Sequence, residues 1–314
     1  KDVSKVAHDF TLQAGVPLVR AEAAADGIKL TQDRFAADAS QKTPQTWRTP
    51  VKVAGLDGGE WQGLVSAAAS QSTGVKGPAI VNAGQTGYFR TWYSPDLWAE
   101  LAPLFAGLDP ADQLGLLYDS RALGEAGYAP MSDFLALAKN APADAEPIVL
   151  NTLVQQLEAL DRLFEGRPAQ AALRGFAMAQ LRPIAARVGW DPKPGEPDND
   201  AILRRTVLGA LGRMGDPATL AEARRRFESW LADPASLSGS GRRTVLAIVA
   251  GHADATTWEA IHAKAKASTD IIDRARLYSY LGYAQDPALV QRALELSLSG
   301  EPSPTEAPNI IAAV

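Results

Sequence analysis

The segment TVLGALGRMGDPATLAEA at 206–223 returns 38 residues later as TVLAIVAGHADATTWEA at 244–260, and more weakly as RLYSYLGYAQDPALVQRA at 276–293. Each copy holds two apolar stripes at three- and four-residue spacing with a break between them, which predicts a helix pair. One pair cannot bury its apolar face alone, so a repeat of about 30–40 residues implies units that stack, as in HEAT-like solenoids. Asp216, Asp254 and Asp286 occupy matching places, and Arg204, Arg242 and Arg274 each stand 12 residues before them.

The helical pattern reaches back to Ser94-Pro95, where Leu97, Trp98, Leu101, Leu104 and Phe105 begin a stripe. Serine suits an N-cap, and proline fits the first turn, where its missing N–H is not needed. Asp109-Pro110, Asp216-Pro217 and Asp286-Pro287 repeat this start signal. Residues 189–200 carry three prolines and predict a loop. Before Ser94 the period is two. Ile28 and Leu30 alternate with polar neighbours, as do Val51 and Val53. Leu56-Asp57-Gly58-Gly59 predicts a hairpin between 47–55 and 60–68, and Tyr88–Tyr93 predicts a central strand. Six or seven short strands in this span predict a small antiparallel β-sandwich. Val3, Val6, Ala7 and Phe10 form a further helical stripe at 1–14. The expected fold is therefore β + α: residues 1–14 ending an upstream domain, a sandwich over 15–93, and a helical HEAT-like superhelix over 94–314.

The chain is poor in the groups that carry chemistry. With no cysteine it has no thiol nucleophile, disulfide or zinc finger, and this leaves cytoplasm and periplasm equally open. His8, His252 and His262 are the three histidines; none stands in H-E-x-x-H, and all three are expected at the solvated surface. The glycine-rich run 237–243 lacks P-loop spacing, and no G-x-S-x-G elbow occurs. A net charge of −5 argues against a nucleic-acid surface. No apolar run is long enough to span a membrane. No catalytic or metal-binding residue is singled out. Arg204, Arg205, Arg242, Arg243 and Arg274 stand near successive helix starts, and a curved stack would align them. Arg204, Arg242 and Arg274 are the candidate substrate contacts, since guanidinium suits a peptide carboxylate. The competing role is a structural ladder of arginine–aspartate pairs between repeats.

Several segments in order resemble the aminopeptidase N family of zinc peptidases. KDVSKVAHDFTLQAGVPLV (1–19) is similar to the join that ends the family's catalytic domain, with Phe10, Gln13, Gly15 and Pro17 in the expected places. LTQDRF (30–35), TWRTPVKV (46–53) and NAGQTGYFRTWY (82–93) resemble successive strands, with Phe89 in place of a tyrosine and Trp92 enlarging the strand end. LLYDSRALGEAG (116–127) and Gly189-Trp190-Asp191 match landmarks of the helical domain.

The resemblance implies a non-catalytic C-terminal part, with an Ig-like sandwich as spacer and a helical bowl that covers the active site and restricts or positions peptides. The zinc site and the Gly-x-Met-Glu-Asn motif would lie upstream, so zinc belongs to the parent enzyme and no cofactor to this chain. The implied partners are the upstream catalytic domain and peptide substrates. The helical domain resembles one cut short at its C-terminus, and exposed apolar ends would allow self-association. The alternative is a free-standing HEAT-like interaction scaffold. Because no ligand set is present, the purified chain is expected to bind no stoichiometric zinc and to leave an aminoacyl chromogenic substrate intact. Chelator-sensitive hydrolysis by the pure chain is the contrary result.

Overall fold

The computed structural model describes residues 3–66, 70–237 and 239–314. The ends of two expectations, residues 67–68 of the hairpin and Ser238 of the glycine-rich run, lie outside the described residues, as do Lys1 and Asp2. The chain forms two compact units, Lys1–Gln156 and Leu157–Val314.

The first unit opens with α1 (Val3–Leu12), then β1 (Val16–Ala24), β2 (Gly27–Phe35), β3 (Thr49–Gly55), β4 (Glu60–Val65), β5 (Gln71–Ser72), β6 (Ala79–Val81) and β7 (Arg90–Tyr93). The strands form two small sheets, ordered β5-β2-β1-β7 and β4-β3-β6. The β1–β2 hairpin turns at Gly27, whose φ of 114° and lack of side chain are both required: a Cβ there would lie 2.7 Å from the backbone at Gly74 and Val75. Leu18, Val19, Ile28, Leu30, Val51 and Val53 are buried. Tyr93 Oη joins the two sheets by accepting a hydrogen bond from the Val81 N–H at 2.9 Å. α1 is tied down by the buried Asp9, which accepts from the backbone N–H of Arg48 and from its guanidinium Nε at 2.8 and 2.7 Å. Those hydrogen bonds hold the Asp9 carboxyl far below its ordinary range. Val3 and Leu12 face solvent, while Phe10 meets the Tyr88 ring edge-on.

Two strand expectations need correction. The β5-β2-β1-β7 sheet is mixed rather than wholly antiparallel, because β7 runs parallel to β1 from Leu18↔Arg90 to Ala21↔Tyr93, while β4-β3-β6 is antiparallel. Parallel pairing needs a long crossover, and here the strands of the other sheet intervene. β7 also sits at an edge, not at the centre, and omits Tyr88 and Phe89. Those residues belong to a built turn in which Asn82 and Gln85 take positive φ and Asn82 Oδ1 accepts from the Gly87 N–H at 2.8 Å.

The same unit continues with α2 (Pro95–Leu101), α3 (Pro110–Glu125) and α4 (Ser132–Asn140), and α5 (Pro147–Leu163) runs from it into the second. Pro95 and Pro110 occupy first turns as expected, but the Ser94 hydroxyl caps nothing. α2 packs on β1 and β7, and α3 on β7. Asp112 and Asp119, two turns apart on α3, grip the turn before β7. Asp112 Oδ1 accepts from the Gly84 N–H at 2.8 Å. Asp119 accepts from Arg90 Nη1 at 2.9 Å and from the Thr91 N–H at 2.8 Å.

The second unit holds α6 (Gln170–Val188), α7 (Asp198–Met214), α8 (Pro217–Ala232), α9 (Gly239–Gly251), α10 (Ala255–Ala267), α11 (Ile271–Tyr280), α12 (Pro287–Leu298) and α13 (Ala307–Ala313). The predicted loop ends at Pro197, since residues after the third proline are free to become helical. α7 packs on α6 and α9, α9 on α8 and α11, and α13 on α11 and α12. Gly212 lets α7 and α9 close up, as a Cβ there would fall 2.6 Å from Ile248. Of the expected apolar surface at α13, Ile311 is exposed, but Ile310 is fully buried. Replacing Asp119 by alanine strands the Thr91 N–H and the Arg90 guanidinium, and is expected to cost about 2–3 kcal/mol. Amide exchange should report this as lost protection in β7; unchanged protection would show that α3 does not hold the strand.

Candidate functional site

The repeated aspartates are helix caps. Asp216 accepts from the Thr219 N–H at 3.0 Å, Asp254 from Thr257 at 2.8 Å and Asp286 from Ala288 at 2.8 Å. Each satisfies amide groups that have no partner inside the helix. Asp216 is buried and also takes the Arg182 Nε–H at 2.7 Å. Burial works against its charge, but the bonds from Thr219 and Arg182 outweigh it and lower its pKa.

The three candidate arginines each reach an acidic group other than these caps. Arg204, buried on α7, donates from Nε and Nη2 to the Val188 carbonyl at 3.1 and 3.0 Å, and from Nη1 to Glu196 Oε1 at 2.7 Å. It braces the 189–197 loop against the end of α6. Arg242 on α9 pairs with Asp273 on α11. Arg274 on α11 binds the buried Glu306 at 2.7 Å. The three are not gathered around one cavity.

The residues that follow two of them, Arg205 and Arg243, are. A cavity of about 600 Å³ in the second unit is lined by Arg205, Gly209 and Arg213 from α7, and by Arg243, Ala247 and Gly251 from α9. Both sets follow a four-residue step, which places them on one helix face. The glycines and Ala247 leave the space that larger side chains would fill. Tyr280, Tyr283, Gln285 and Ala313 complete the wall. The tyrosine rings meet edge-on with centroids 5.4 Å apart. Burial pushes the Tyr280 phenol up to about 12, so it stays a donor. Arg213 is held by Glu158, Nε to Oε1 at 2.8 Å. Among the described residues, neither Arg205 nor Arg243 has an ion-pair partner. Two uncompensated guanidiniums beside a partly apolar floor suit an anionic group on an otherwise apolar ligand.

Of the two Arg-Arg pairs, Arg205 and Arg243 line this cavity and Arg204 and Arg242 do not. The usable signal was the run of small or polar residues at 205, 209 and 213 and at 243, 247 and 251, beside the apolar positions of the same helices. The histidines also need correction. His8 is exposed and His252 half-buried with Nε2 2.8 Å from the Gly212 carbonyl oxygen, but His262 is buried. It packs against Trp258 and Tyr278 and meets the Glu301 carboxylate. An amphipathic stripe marks which face is inward, and it does not report a carboxylate arriving from a later loop. Among the described residues no group of three His, Cys, Asp or Glu side chains could hold a metal ion, and no helix is long and apolar enough to cross a membrane.

The second unit is thus wholly helical, with a cavity lined by three arginines between its helices. A family model described as the ERAP1-like C-terminal domain matches residues 79–314, and the chain belongs to that family, the C-terminal region of aminopeptidase N-type enzymes. Aminopeptidase M1 of Arabidopsis thaliana is 28% identical over 95% of the chain, covering 37% of its own length. Aminopeptidase N of Lactobacillus delbrueckii subsp. lactis is 29% identical over 68% of the chain and 26% of its length. The alanine/arginine aminopeptidase of Saccharomyces cerevisiae is 29% identical over 73% of the chain and 28% of its length. The chain thus spans between about a quarter and little more than a third of the length of the curated relatives it matches.

The charge network has an acid limit. The Arg204 hydrogen bonds hold Glu196 down at about 2, and those of Arg225 and Arg226 hold Glu222 at about 2, against an ordinary 4.5 for both. Folded values below unfolded ones mean that the unfolded chain binds more protons as pH falls. The stability these pairs contribute is complete above about pH 4.5 and disappears as pH falls through about 2. Calorimetry from pH 7 to pH 3 should show a progressive drop in the unfolding temperature that begins near 4.5. Glu196→Gln with Glu222→Gln should lower stability at pH 7 and flatten that slope. An unchanged slope would assign the acid sensitivity elsewhere.

Proposed function

We propose that this chain is the non-catalytic C-terminal part of a zinc-dependent aminopeptidase that removes N-terminal residues from peptides. In this reading residues 1–14 close an upstream catalytic domain, 15–93 form an Ig-like sandwich, and 94–314 form a HEAT-like superhelical bowl over the active site. The bowl restricts entry and positions substrate. Zinc belongs to the catalytic part in this reading, as the aminopeptidase relatives imply. The family membership and the aminopeptidase relatives support the general assignment.

The observation that carries the substrate role is the cavity whose Arg205 and Arg243 lack a carboxylate partner. A peptide bound by its N-terminus at a distant metal presents a C-terminal carboxylate at its other end. Arg205 and Arg243 are the groups suited to take it, with Tyr280 and Gln285 as further polar partners. Arg204, Arg242 and Arg274 act behind them as braces, each already engaged by Glu196, Asp273 or Glu306. A charged hydrogen bond contributes about 1.5–3 kcal/mol. A labelled nonapeptide acid should therefore bind at least about tenfold tighter than its C-terminal amide. Arg205→Ala with Arg243→Ala should abolish that preference in fluorescence anisotropy. Equal binding of acid and amide by the unaltered protein would remove the carboxylate-holding role.

A further inference from the structure

The connection that leads into the Ala313 wall of the cavity meets a buried histidine, His262, through Glu301. α13 carries Ala313 and packs against α11 and against the tight turn Leu281–Tyr283. The contact is close: a Cβ on Gly282 would lie 2.6 Å from the Ile310 carbonyl oxygen and 2.9 Å from the Ala313 methyl. The stretch between α12 and α13 is fastened at two points. Glu306 binds Arg274 at 2.7 Å and takes the Ser303 N–H at 2.9 Å. Glu301 Oε1 lies 2.5 Å from His262 Nε2 and accepts from the Tyr278 hydroxyl at 3.2 Å. The helix that bears His262 also holds the tight turn, since Trp258 Nε1 donates to the Leu281 carbonyl at 3.0 Å. His262 is thus connected to both segments that wall the cavity on this side.

We propose that the His262–Glu301 contact is a pH-sensitive clasp that fixes the α13 wall of the cavity while the imidazole is protonated and loosens it when the proton is lost. Of the groups around the imidazole, Glu259 on its own helix lies 3.7 Å from Nδ1 and is also paired with Arg292 of α12. Tyr278 faces it from α11, and Glu301 from the α12–α13 connection. Lys266, one turn on along α10, and the Arg274–Glu306 pair are the remaining charges near Glu301 and Tyr278. Burial works against the Glu301 charge, but the bonds from His262 and Tyr278 outweigh it and lower its pKa. Burial pushes the Tyr278 phenol up to about 12. The carboxylate is thus favoured in its charged form and the phenol in its neutral form, and histidine is the side-chain type suited to a switch near neutral pH. Its protonated form meets two carboxylates; its neutral form keeps at most one ordinary hydrogen bond.

The regulated quantity, access to the carboxylate cavity, rests on the proposed function; the clasp itself does not. Hydrogen exchange read by mass spectrometry, with rates corrected for intrinsic pH dependence, tests the clasp. Between pH 5.5 and 8.0, protection of residues 299–313 should fall about fivefold relative to α7, as a charge-assisted bond becomes a neutral one. His262→Gln keeps a donor that cannot titrate and should make the ratio flat. If that variant does not fold, Glu301→Gln removes the anionic half and should do the same. A flat ratio in the unaltered protein, or the same fall in a folded variant, would overturn the clasp. Anisotropy with the nonapeptide acid over the same pH range separates the two ideas. Absence of peptide binding together with pH-dependent protection counts against the cavity reading and supports the clasp.

Discussion

A helix that begins inside a packed core must satisfy its first amide groups without water, and α8 meets this requirement with a buried aspartate. Asp216 shows the consequence most fully. It caps α8, takes the Thr219 hydroxyl at 2.8 Å and binds Arg182 from α6, all while buried. Asp254 and Asp286 repeat the capping part. Arg204, Arg242 and Arg274 stand on the other helix of each pair, α7, α9 and α11, and each is turned toward a carboxylate. A helix advances about 100° per residue, so a first arginine turned toward a carboxylate directs the next one elsewhere. Arg205 and Arg243 reach the cavity for that reason.

The cavity and its surroundings divide labour between compensated and uncompensated charge. Around it, Arg204–Glu196, Arg242–Asp273 and Arg274–Glu306 neutralise one another and add rigidity. Inside it, Arg205 and Arg243 keep their fields available to an incoming anion. The first unit follows related logic: two carboxylates on one helix, Asp112 and Asp119, hold a turn whose Asn82 and Gln85 take left-handed conformations. Burial pushes Asp119 up to about 6 against the pull of Arg90, so the grip is anchored by an acid held near the limit of its charged range.

Much of this was legible in the amino acids. The stacked helix pairs followed from the 38-residue recurrence, and the helix starts from Asp-Pro and Ser-Pro. The resemblance to aminopeptidases followed from ordered short motifs. What stayed hidden shares one physical cause: it depends on residues far apart in sequence. Periodicity assigns a face within one strand, and it is silent on whether β7 returns parallel or antiparallel to β1. The Arg-Arg dipeptides at 204–205 and 242–243 announced a cationic surface, yet their first members are engaged by carboxylates at 196 and 273 and their second members line the cavity. His262 read as a surface residue because nothing near it in sequence announces Glu301.

The cavity is made of side chains that are missing as much as of those present. Nothing lies within 4 Å of where a Cβ on Gly251 would stand, and its backbone is ordinary helix. A larger residue there would project into space rather than into the core. Gly212, one α7 turn from the Gly209 lining position, has no such freedom because Ile248 already fills its side of the helix. Neighbouring glycines in one stack thus face opposite mutational fates. Descendants of this chain could narrow or reshape what the cavity admits by single substitutions at 251, while the helix packing that defines the fold stayed out of reach of the same drift.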